Sequence, residues 1–211
     1  MRRYFVTIGI LGNKVGMTQI FDDKGDVIPV TIIKTSPCVI TQIKSSEDNG
    51  YNAIQIGYSE ISPNLKSLTK PRLGHFNKVN LPPYRYLKEY KTKNSSEFEI
   101  GQKIGLELFE IGQKVNITGF TIGKGYASNF KRNNFSTGLM SHGSKSHRLQ
   151  GSIGAGTTPG RVLPGKRMAG RLGNEKCTIK SLQIIDIDIN ENLLIVKGSI
   201  PGKSGNLVSI K

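Results

Sequence analysis

One stretch of this chain contains no acidic residue, and its length limits how the whole sequence can fold. Residues 111–174 lack Asp and Glu, although the protein has fifteen acidic residues. They hold ten of its thirty Lys and Arg residues: Lys114, Lys124, Lys131, Arg132, Lys145, Arg148, Arg161, Lys166, Arg167 and Arg171. Such a segment repels itself in water and is stabilised by a surrounding polyanion. The hydrophobic core must therefore come from the remaining residues, which are numerous enough to form one.

The same stretch is rich in glycine and in scattered apolar side chains. Twelve glycines lie between Gly119 and Gly173, and glycine allows backbone to approach a ligand closely. The apolar side chains among the cations are Phe120, Tyr126, Phe130, Phe135, Leu139, Met140, Ile153, Val162, Leu163 and Met168. Aromatic rings and Arg planes stack on exposed bases, and a merely solvated linker has little use for them. We therefore expect insertion into folded RNA, with a disordered, solvated loop as the alternative.

The net charge indicates which class of partner the protein binds, and the cysteine pattern indicates its redox compartment. A net charge of +15 and a pI of about 9.9 favour a nucleic acid or an anionic membrane as partner. A run of about 18 apolar residues is missing, so we expect no membrane partner. Cys38 and Cys177 follow no CxxC pattern, which predicts a reducing compartment with both thiols buried. The short apolar run near the N-terminus is broken at Gly12 and predicts a strand rather than a targeting segment.

Outside the basic stretch the sequence predicts a mainly β protein. Short β-branched or alternating runs predict strands at Arg3–Leu11, Val15–Phe21, Asp26–Lys34, Cys38–Lys44, Asn52–Tyr58, Glu97–Ile100, Ile104–Phe109, Lys114–Ile122, Thr178–Ile189, Leu193–Ile200 and Val208–Ile210. Turns are predicted between them at residues 22–25 and 48–50. Many short strands with turn signals are typical of a barrel or a sandwich.

The strand pattern also predicts three parts. A discontinuous β core would comprise residues 1–60, 96–122 and 175–211. Residues 61–95 would form a small insertion with α-helical and irregular structure, including a short helix with Pro71 in its first turn. Residues 123–174 show little helical or strand periodicity and would form a long, extended basic loop that penetrates RNA.

Two glycine-rich motifs suggest nucleotide chemistry, but both are incomplete. The run from Gly160 to Lys166 matches the first seven places of a P-loop, yet Arg167 stands where Ser or Thr would hold magnesium. The run from Gly123 to Tyr126 is a fragment of a dinucleotide loop without its third glycine. We therefore expect no nucleotide hydrolysis, no cofactor and no small-molecule substrate.

Histidine and carboxylate patterns give no complete catalytic or metal site either. His142 and His147 lie in the basic stretch without a nearby carboxylate or cysteine, and a zinc site would need further ligands. Ser141, His142 and Asp186 are the components of a triad but lack the nucleophile-elbow motif. Asp186 and Asp188 share one strand face, which is typical of a solvated sheet surface. We predict no catalytic residue and no metal ligand.

Three long motifs resemble one protein family. The run from Gly9 to Phe21 resembles the opening signature of the third protein of the large ribosomal subunit. Residues 142–170 are similar to its central signature, in the runs His142-Gly143-Ser144, Ser146-His147-Arg148, Gly151-Ser152-Ile153-Gly154, Thr158-Pro159-Gly160-Arg161 and Gly165-Lys166-Arg167-Met168-Ala169-Gly170. The run from Leu193 to Gly202 is similar to its C-terminal block, so the resemblance covers essentially the whole chain.

This resemblance implies a fold, a function and partners. It implies a six-stranded β-barrel of the translation-factor type with a long extension toward the peptidyl transferase centre. It implies a structural, non-catalytic protein that binds large-subunit ribosomal RNA near its 3′ end, nucleates assembly and contacts neighbouring ribosomal proteins. Some bacterial relatives carry a methylated glutamine just before Thr-Pro-Gly, whereas Thr157 stands here, so that modification is not expected. The tip sequence resembles cyanobacterial and plastid versions, so we expect a ribosome of the bacterial cytoplasm or the plastid stroma, with a plastid gene slightly favoured.

The predicted RNA contacts all lie in the basic loop. They are Lys124, Lys131, Arg132, His142, Lys145, His147, Arg148, Gly154, Gly156, Arg161, Lys166, Arg167 and Arg171. The cations would meet phosphates, the histidines would add hydrogen bonds, and the glycines would allow close packing at the tip. The alternative function is an RNA-acting enzyme or an assembly factor with a basic arm, which would need an acid or a nucleophile in that arm.

Overall fold

The computed structural model describes residues 8–62, 68–93 and 97–211. In chain order the strands are β1 (Ile10–Phe21), β2 (Val27–Lys34), β3 (Cys38–Lys44), β4 (Ala53–Glu60), β5 (Tyr84–Lys91), β6 (Lys103–Ile104), β7 (Lys114–Phe120), β8 (Tyr126–Ala127), β9 (Gly170–Arg171), β10 (Lys176–Asp188), β11 (Leu193–Lys197) and β12 (Leu207–Ile210). The helices are α1 (Ser46–Asn49), α2 (Lys70–Asn77) and α3 (Asn129–Asn133), with a 3₁₀ turn at Leu106–Leu108. The prediction of a mainly β chain is confirmed.

Six antiparallel strands close into a ring in the order β1, β12, β7, β10, β11 and β2, with β2 pairing back to β1. The inward positions are aliphatic and largely β-branched, which suits a pleated, two-faced surface. The fully buried members include Ile10, Ile33, Ile117, Ile184, Leu194, Val196 and Ile210. Strand alternation therefore gives the ring one apolar face, which forms its core.

Strands β3, β4 and β6, which lie within the predicted β core, belong to a second sheet and not to the ring. This sheet has the order β5, β4, β3 and β6. Its strand β5 was not among the predicted strands, although strand alternation puts Tyr84, Tyr86 and Tyr90 on one face. Tyr90 ties the second sheet to the ring, because its hydroxyl lies 2.6 Å from the Ser209 hydroxyl. Helix α2 lies where a short helix was predicted, and it buries Phe76 against Val39 and Tyr84.

Several predicted boundaries are wrong for local reasons. The chain was predicted to break at Gly12, but strand β1 continues through this residue. The pairing of β1 with β2 is interrupted only by a register shift between Lys14 and Gly16. Residues 3–7 of the first predicted strand lie outside the described residues. The predicted strand at 97–100 is not present, and the one at 104–109 is reduced to β6 and the 3₁₀ turn. The turn at residues 48–50 is the end of α1, where Gly50 adopts a φ of 76°.

The expectation that both thiols are buried is wrong for Cys177. Cys38 is fully buried in the core, whereas Cys177 is exposed near the start of β10. Its partner across the ladder is Gly119, which has no side chain to cover it. Burial raises the pKa of the Cys38 thiol to about 11, and the thiolate is the reactive form. Cys177 is therefore the accessible thiol of the two, while Cys38 is both buried and held in its protonated form.

Thiol labelling should separate the two cysteines. At pH 8 we expect one thiol per chain to react rapidly with a maleimide and the second only on unfolding. With a pKa of about 11, about one thousandth of Cys38 is thiolate at pH 8. Peptide mapping should place the fast label on Cys177, and Cys177→Ser should remove it. Rapid labelling of Cys38 in the folded protein would contradict this arrangement.

The chain divides into two compact units. One comprises residues 1–120 and 176–211, and the other comprises residues 121–175. The residues of both hydrophobic clusters belong to the first unit. The second unit is inserted in the sequence between β7 and β10, which pair with each other through Phe120 and Lys176.

Candidate nucleic-acid interface

Residues 121–175 begin and end as two paired arms. The Thr121 N–H donates to the Glu175 carbonyl (3.0 Å), and the Glu175 N–H donates to the Thr121 hydroxyl (3.1 Å). Further along, the Lys124 N–H donates to the Leu172 carbonyl at 2.9 Å. Strands β8 and β9 continue this pairing, so the two arms run antiparallel. We call residues 121–127 and 170–175 the stalk.

Glycine is required in the stalk by the protein itself. Gly173 has a φ of 71°, and a Cβ at this position would overlap the carbonyl oxygen of Ile122. A Cβ at Gly170 would lie 2.5 Å from the Arg132 Nη1 atom. Gly173 therefore lets the two arms of the stalk approach closely, whereas the atom near Gly170 is the end of the flexible Arg132 side chain.

A polar cluster at α3 follows the stalk. The Asn129 side chain is only 3% exposed; its Nδ2 donates to Gln150 Oε1 (3.0 Å), and its Oδ1 accepts from Asn133 Nδ2 (2.9 Å). Arg132 Nη1 donates to the Met168 carbonyl at 2.9 Å, and Asn133 donates to the same oxygen at 3.3 Å. Arg132 was predicted as an RNA contact; in the structure its side chain makes a hydrogen bond within the segment.

The sequence prediction missed Asn129 and Asn133. Their four-residue spacing on a helix was the available signal, because side chains at i and i+4 are neighbours. The buried amide of Asn129 must be satisfied inside the protein, since an unpaired buried polar group is costly. This cluster fixes where the chain leaves α3 and where it returns near Met168.

Residues 134–167 form a nearly fully exposed excursion, which we call the tip loop. Only Phe135 and Ser144 are even partly buried within it. Within the tip loop, residues 138–147 form a local turn whose two ends meet. The Gly138 N–H donates to the His147 carbonyl at 3.1 Å, and His147 Nδ1 lies 3.0 Å from the Leu139 carbonyl. His142 adopts a φ of 57°, and Gly143 follows it at 73°. Both predicted histidines are exposed, and His147 supports the turn.

The predicted cations form an exposed and uncompensated set. All nine Lys and Arg residues between Gly123 and Asn174 are exposed: Lys124, Lys131, Arg132, Lys145, Arg148, Arg161, Lys166, Arg167 and Arg171. In the part of the chain that the structure describes, none of them lies within ion-pair distance of a carboxylate, and the ion pair present joins Lys44 to Glu89. Nine unpaired cations within one unit create a strongly positive potential.

Exposed apolar side chains accompany these cations. Tyr126 is 80% exposed, Leu139 is 67% exposed and Leu149 is 66% exposed. Leu149 was absent from the apolar set that the sequence analysis singled out. Each of these side chains is available to a binding partner. Together with the cations they can contact phosphates and the faces of unpaired bases at the same time.

The predicted tip glycines differ from the stalk glycines. A Cβ at Gly156 would meet nothing within 4 Å, and one at Gly154 would come only within 4.0 Å of the Arg161 carbonyl. Neither has a positive φ. The fold of the protein therefore does not require glycine at either position, although the Gly160 N–H donates to the Gly156 carbonyl at 3.1 Å to close the turn.

The carboxylates considered for catalysis have structural partners instead. The Asp188 carboxylate accepts the N–H groups of Asn190 (2.9 Å) and Glu191 (3.1 Å), which closes the β10–β11 hairpin. The Asp186 carboxylate accepts the N–H of Ile187 at 2.8 Å. Within the described ranges, no group of three His, Cys, Asp or Glu side chains is placed to hold a metal ion. Nor does any helix there have the length and apolar character needed to cross a membrane.

Comparisons with known proteins match this chain along nearly its whole length. A family model described as Ribosomal protein L3 matches residues 90–192. The large ribosomal subunit protein uL3c of Trieres chinensis is 61% identical over 205 residues, which cover 97% of this chain and 98% of that protein. The large ribosomal subunit protein uL3 of Trichormus variabilis is 56% identical over 205 residues, which cover 97% and 96% of the two chains. The uL3c protein of Phaeodactylum tricornutum is 57% identical over the same length.

Proposed function

Because this chain belongs to the ribosomal protein L3 family, we propose that it is a structural constituent of the large ribosomal subunit and binds ribosomal RNA through residues 121–175. The family is one of structural proteins and not of enzymes. The observation that carries the RNA contact is the coincidence, in one unit, of nine exposed cations, no carboxylate between residues 123 and 174, and an exposed apolar set.

The exposed side chains of residues 121–175 would contact different parts of the RNA according to their chemistry. Lys124, Lys131, Arg132, Lys145, Arg148, Arg161, Lys166, Arg167 and Arg171 contact phosphates, and His142 and His147 add hydrogen bonds. Exposed rings and aliphatic groups, such as Tyr126 and Leu149, pack against bases or sugars. The tip glycines, Gly154 and Gly156, lie where RNA approaches the backbone. The six-stranded ring is a barrel of the translation-factor type, and residues 123–174 form the RNA-penetrating part.

The finer role follows the family. The tip loop extends toward the peptidyl transferase centre, and the protein binds near the 3′ end of the large-subunit RNA and nucleates assembly. Its partners are this RNA and neighbouring large-subunit proteins, with no cofactor, metal or small-molecule substrate. The similarity to uL3c of Trieres chinensis and to uL3 of Trichormus variabilis supports a ribosome of plastid or bacterial type. We favour a plastid gene, since the similarity is slightly higher to the uL3c proteins named above.

Co-sedimentation tests the assignment against the alternative of an assembly factor or an RNA-acting enzyme. We expect the tagged full-length protein to migrate with mature large subunits after a high-salt wash, in one copy per subunit, because many buried contacts slow its release. A factor would leave at high salt or would be confined to immature particles. Recovery only in precursor particles would contradict a structural role.

A substitution at the tip tests close RNA approach. Gly156→Ala should leave the folded protein unchanged, because open space surrounds this position and its φ is not positive. If RNA packs against it, the added methyl should weaken binding by about 1–3 kcal/mol through overpacking, measured by filter binding to large-subunit RNA. Gly105→Ala is the matched control, since a Cβ there also meets nothing within 4 Å. Equal affinities of the two variants would place Gly156 away from RNA.

A further inference from the structure

The β1–β2 hairpin exposes an apolar face at its distal end. The register pairs Phe21 with Val27 directly, and strand alternation puts Met17 on the same face. Met17 is 51% exposed, Phe21 is 65% exposed and Val27 is 54% exposed. Pro29 is exposed on this face as well. We call this surface, formed by residues 17–29, the hairpin face.

The hairpin face lies on a ribbon of only two strands. Strand β1 pairs with β12 through residues 10–13 only, and β2 pairs with β11 through residues 30–34 only. Within the described residues, the ribbon beyond these contacts has no third strand. A two-stranded ribbon with one uncovered apolar face is marginally stable in water. Contiguous exposed apolar surface of this kind marks a contact with another molecule.

Charge at the turn identifies the class of partner. Asp22, Asp23 and Asp26 place three of the fifteen acidic residues within five positions, on a chain with a net charge of +15. The Asp22 carboxylate accepts the N–H groups of Lys24 (3.0 Å) and Asp26 (2.9 Å), which closes the turn. Asp23 and Asp26 are exposed. Their carboxylates repel phosphate and attract a cationic protein surface.

We propose that the hairpin face is a docking site for a second protein of the large subunit, one with an apolar contact centre and a basic rim. This proposal rests on the proposed function in one respect, namely that the partner belongs to the large ribosomal subunit. Apolar centre and charged rim follow the usual anatomy of protein interfaces. The acids make this face unlike residues 121–175, which contain no acid between residues 123 and 174, so the two surfaces select different classes of macromolecule.

Photocrosslinking within assembled subunits identifies what covers the face. A photoreactive amino acid replaces Gln19, which is exposed, polar and opposite Pro29 on the hairpin face. This leaves the apolar residues intact. Co-sedimentation of the variant is scored first, so a failure of the proposed function is seen separately as absence from the subunits. After illumination, we expect an adduct with one large-subunit protein of net positive charge. The same label at exposed Asn190, in the β10–β11 turn, should not reach that protein.

Binding of the purified partner then tests the hairpin residues individually. Phe21→Ser should weaken its binding to the full-length protein by roughly tenfold, as expected for an aromatic contact near an interface centre. Ile189→Ser, at a residue that is 59% exposed in another hairpin turn, should leave it unchanged. Asp23→Lys should also weaken binding, and by less at high salt. An adduct with RNA or with a second copy of this chain, no adduct in subunits that contain the protein, or unaltered binding of Phe21→Ser would overturn the proposal.

Discussion

Replacing Lys124–Gly173 with a short Gly/Ser linker should leave the remaining protein folded while removing most of its RNA affinity. Both hydrophobic clusters consist of residues outside this segment, so its removal opens no cavity. The ring also keeps its β7–β10 ladder, in which Phe120 pairs with Lys176. The two ends left after removal are adjacent, since the Asn174 N–H donates to the Thr121 carbonyl at 3.2 Å. A few residues therefore suffice to join them.

Two measurements address different parts of this prediction. Cooperative thermal melting of the shortened protein tests whether the ring and the second sheet form one stable unit. Subunit profiles and peptide-transfer rates test whether the removed segment acts in assembly and near the catalytic centre. We expect a cooperative melt together with poor assembly or slow peptide transfer. A full-length control with the eight exposed cations other than Arg132 changed to Gln separates loss of charge from loss of length.

The opposite result would remove the basis of the proposal. If the shortened protein supports normal assembly and normal peptide transfer, the acid-free segment is dispensable and its charge has another use. If instead the shortened protein fails to melt cooperatively, residues 121–175 contribute to the fold in a way that the core clusters do not show. The Gln variant distinguishes these cases, because it retains the stalk and the α3 cluster.

Local patterns predicted the strands well where alternation and β-branching coincide. The aliphatic alternation of β2, with Ile33 buried and Lys34 exposed, is readable from the sequence because one face must be apolar. Strand β5 was missed because residues 61–95 were predicted as an insertion with α-helical and irregular structure, and the polar and charged residues among its tyrosines obscure a β pattern. The sequence did not predict which strands belong to the ring and which to the second sheet, because strands that pair with each other can be far apart in the sequence.

The candidate interface was predictable in its chemistry but not in its internal support. Exposure of Arg161 and Arg167 follows from charge, because a lone cation is rarely buried. The Asn129 cluster depends on Gln150 and Met168, which are remote in sequence. Exposure of Cys177 depends equally on a distant residue, namely its ladder partner Gly119. Contacts of this kind are set by tertiary structure and leave little local signature.

The strongest test of the interface is the salt dependence of RNA binding. If about six to nine of the exposed cations meet phosphates, each releases counterions, and log affinity should fall against log salt with a slope of roughly −4 to −8. Between about 50 mM and 200 mM salt, slopes of this size cost roughly two to five powers of ten in affinity. Filter binding of the full-length protein to large-subunit RNA across this range gives the slope directly.

Single substitutions then show which residues contribute to the slope of the salt dependence. Arg161→Ala and Arg167→Ala should each make it shallower by about one, because each removes one phosphate contact. Arg132→Ala should do the same and should also loosen the α3 cluster, since Arg132 Nη1 donates to the Met168 carbonyl at 2.9 Å. Lys24→Ala, in the acidic hairpin turn, is the control and should leave the slope unchanged. A wild-type slope near −1, or unchanged slopes for both Arg161→Ala and Arg167→Ala, would show that the affinity does not come from the acid-free segment.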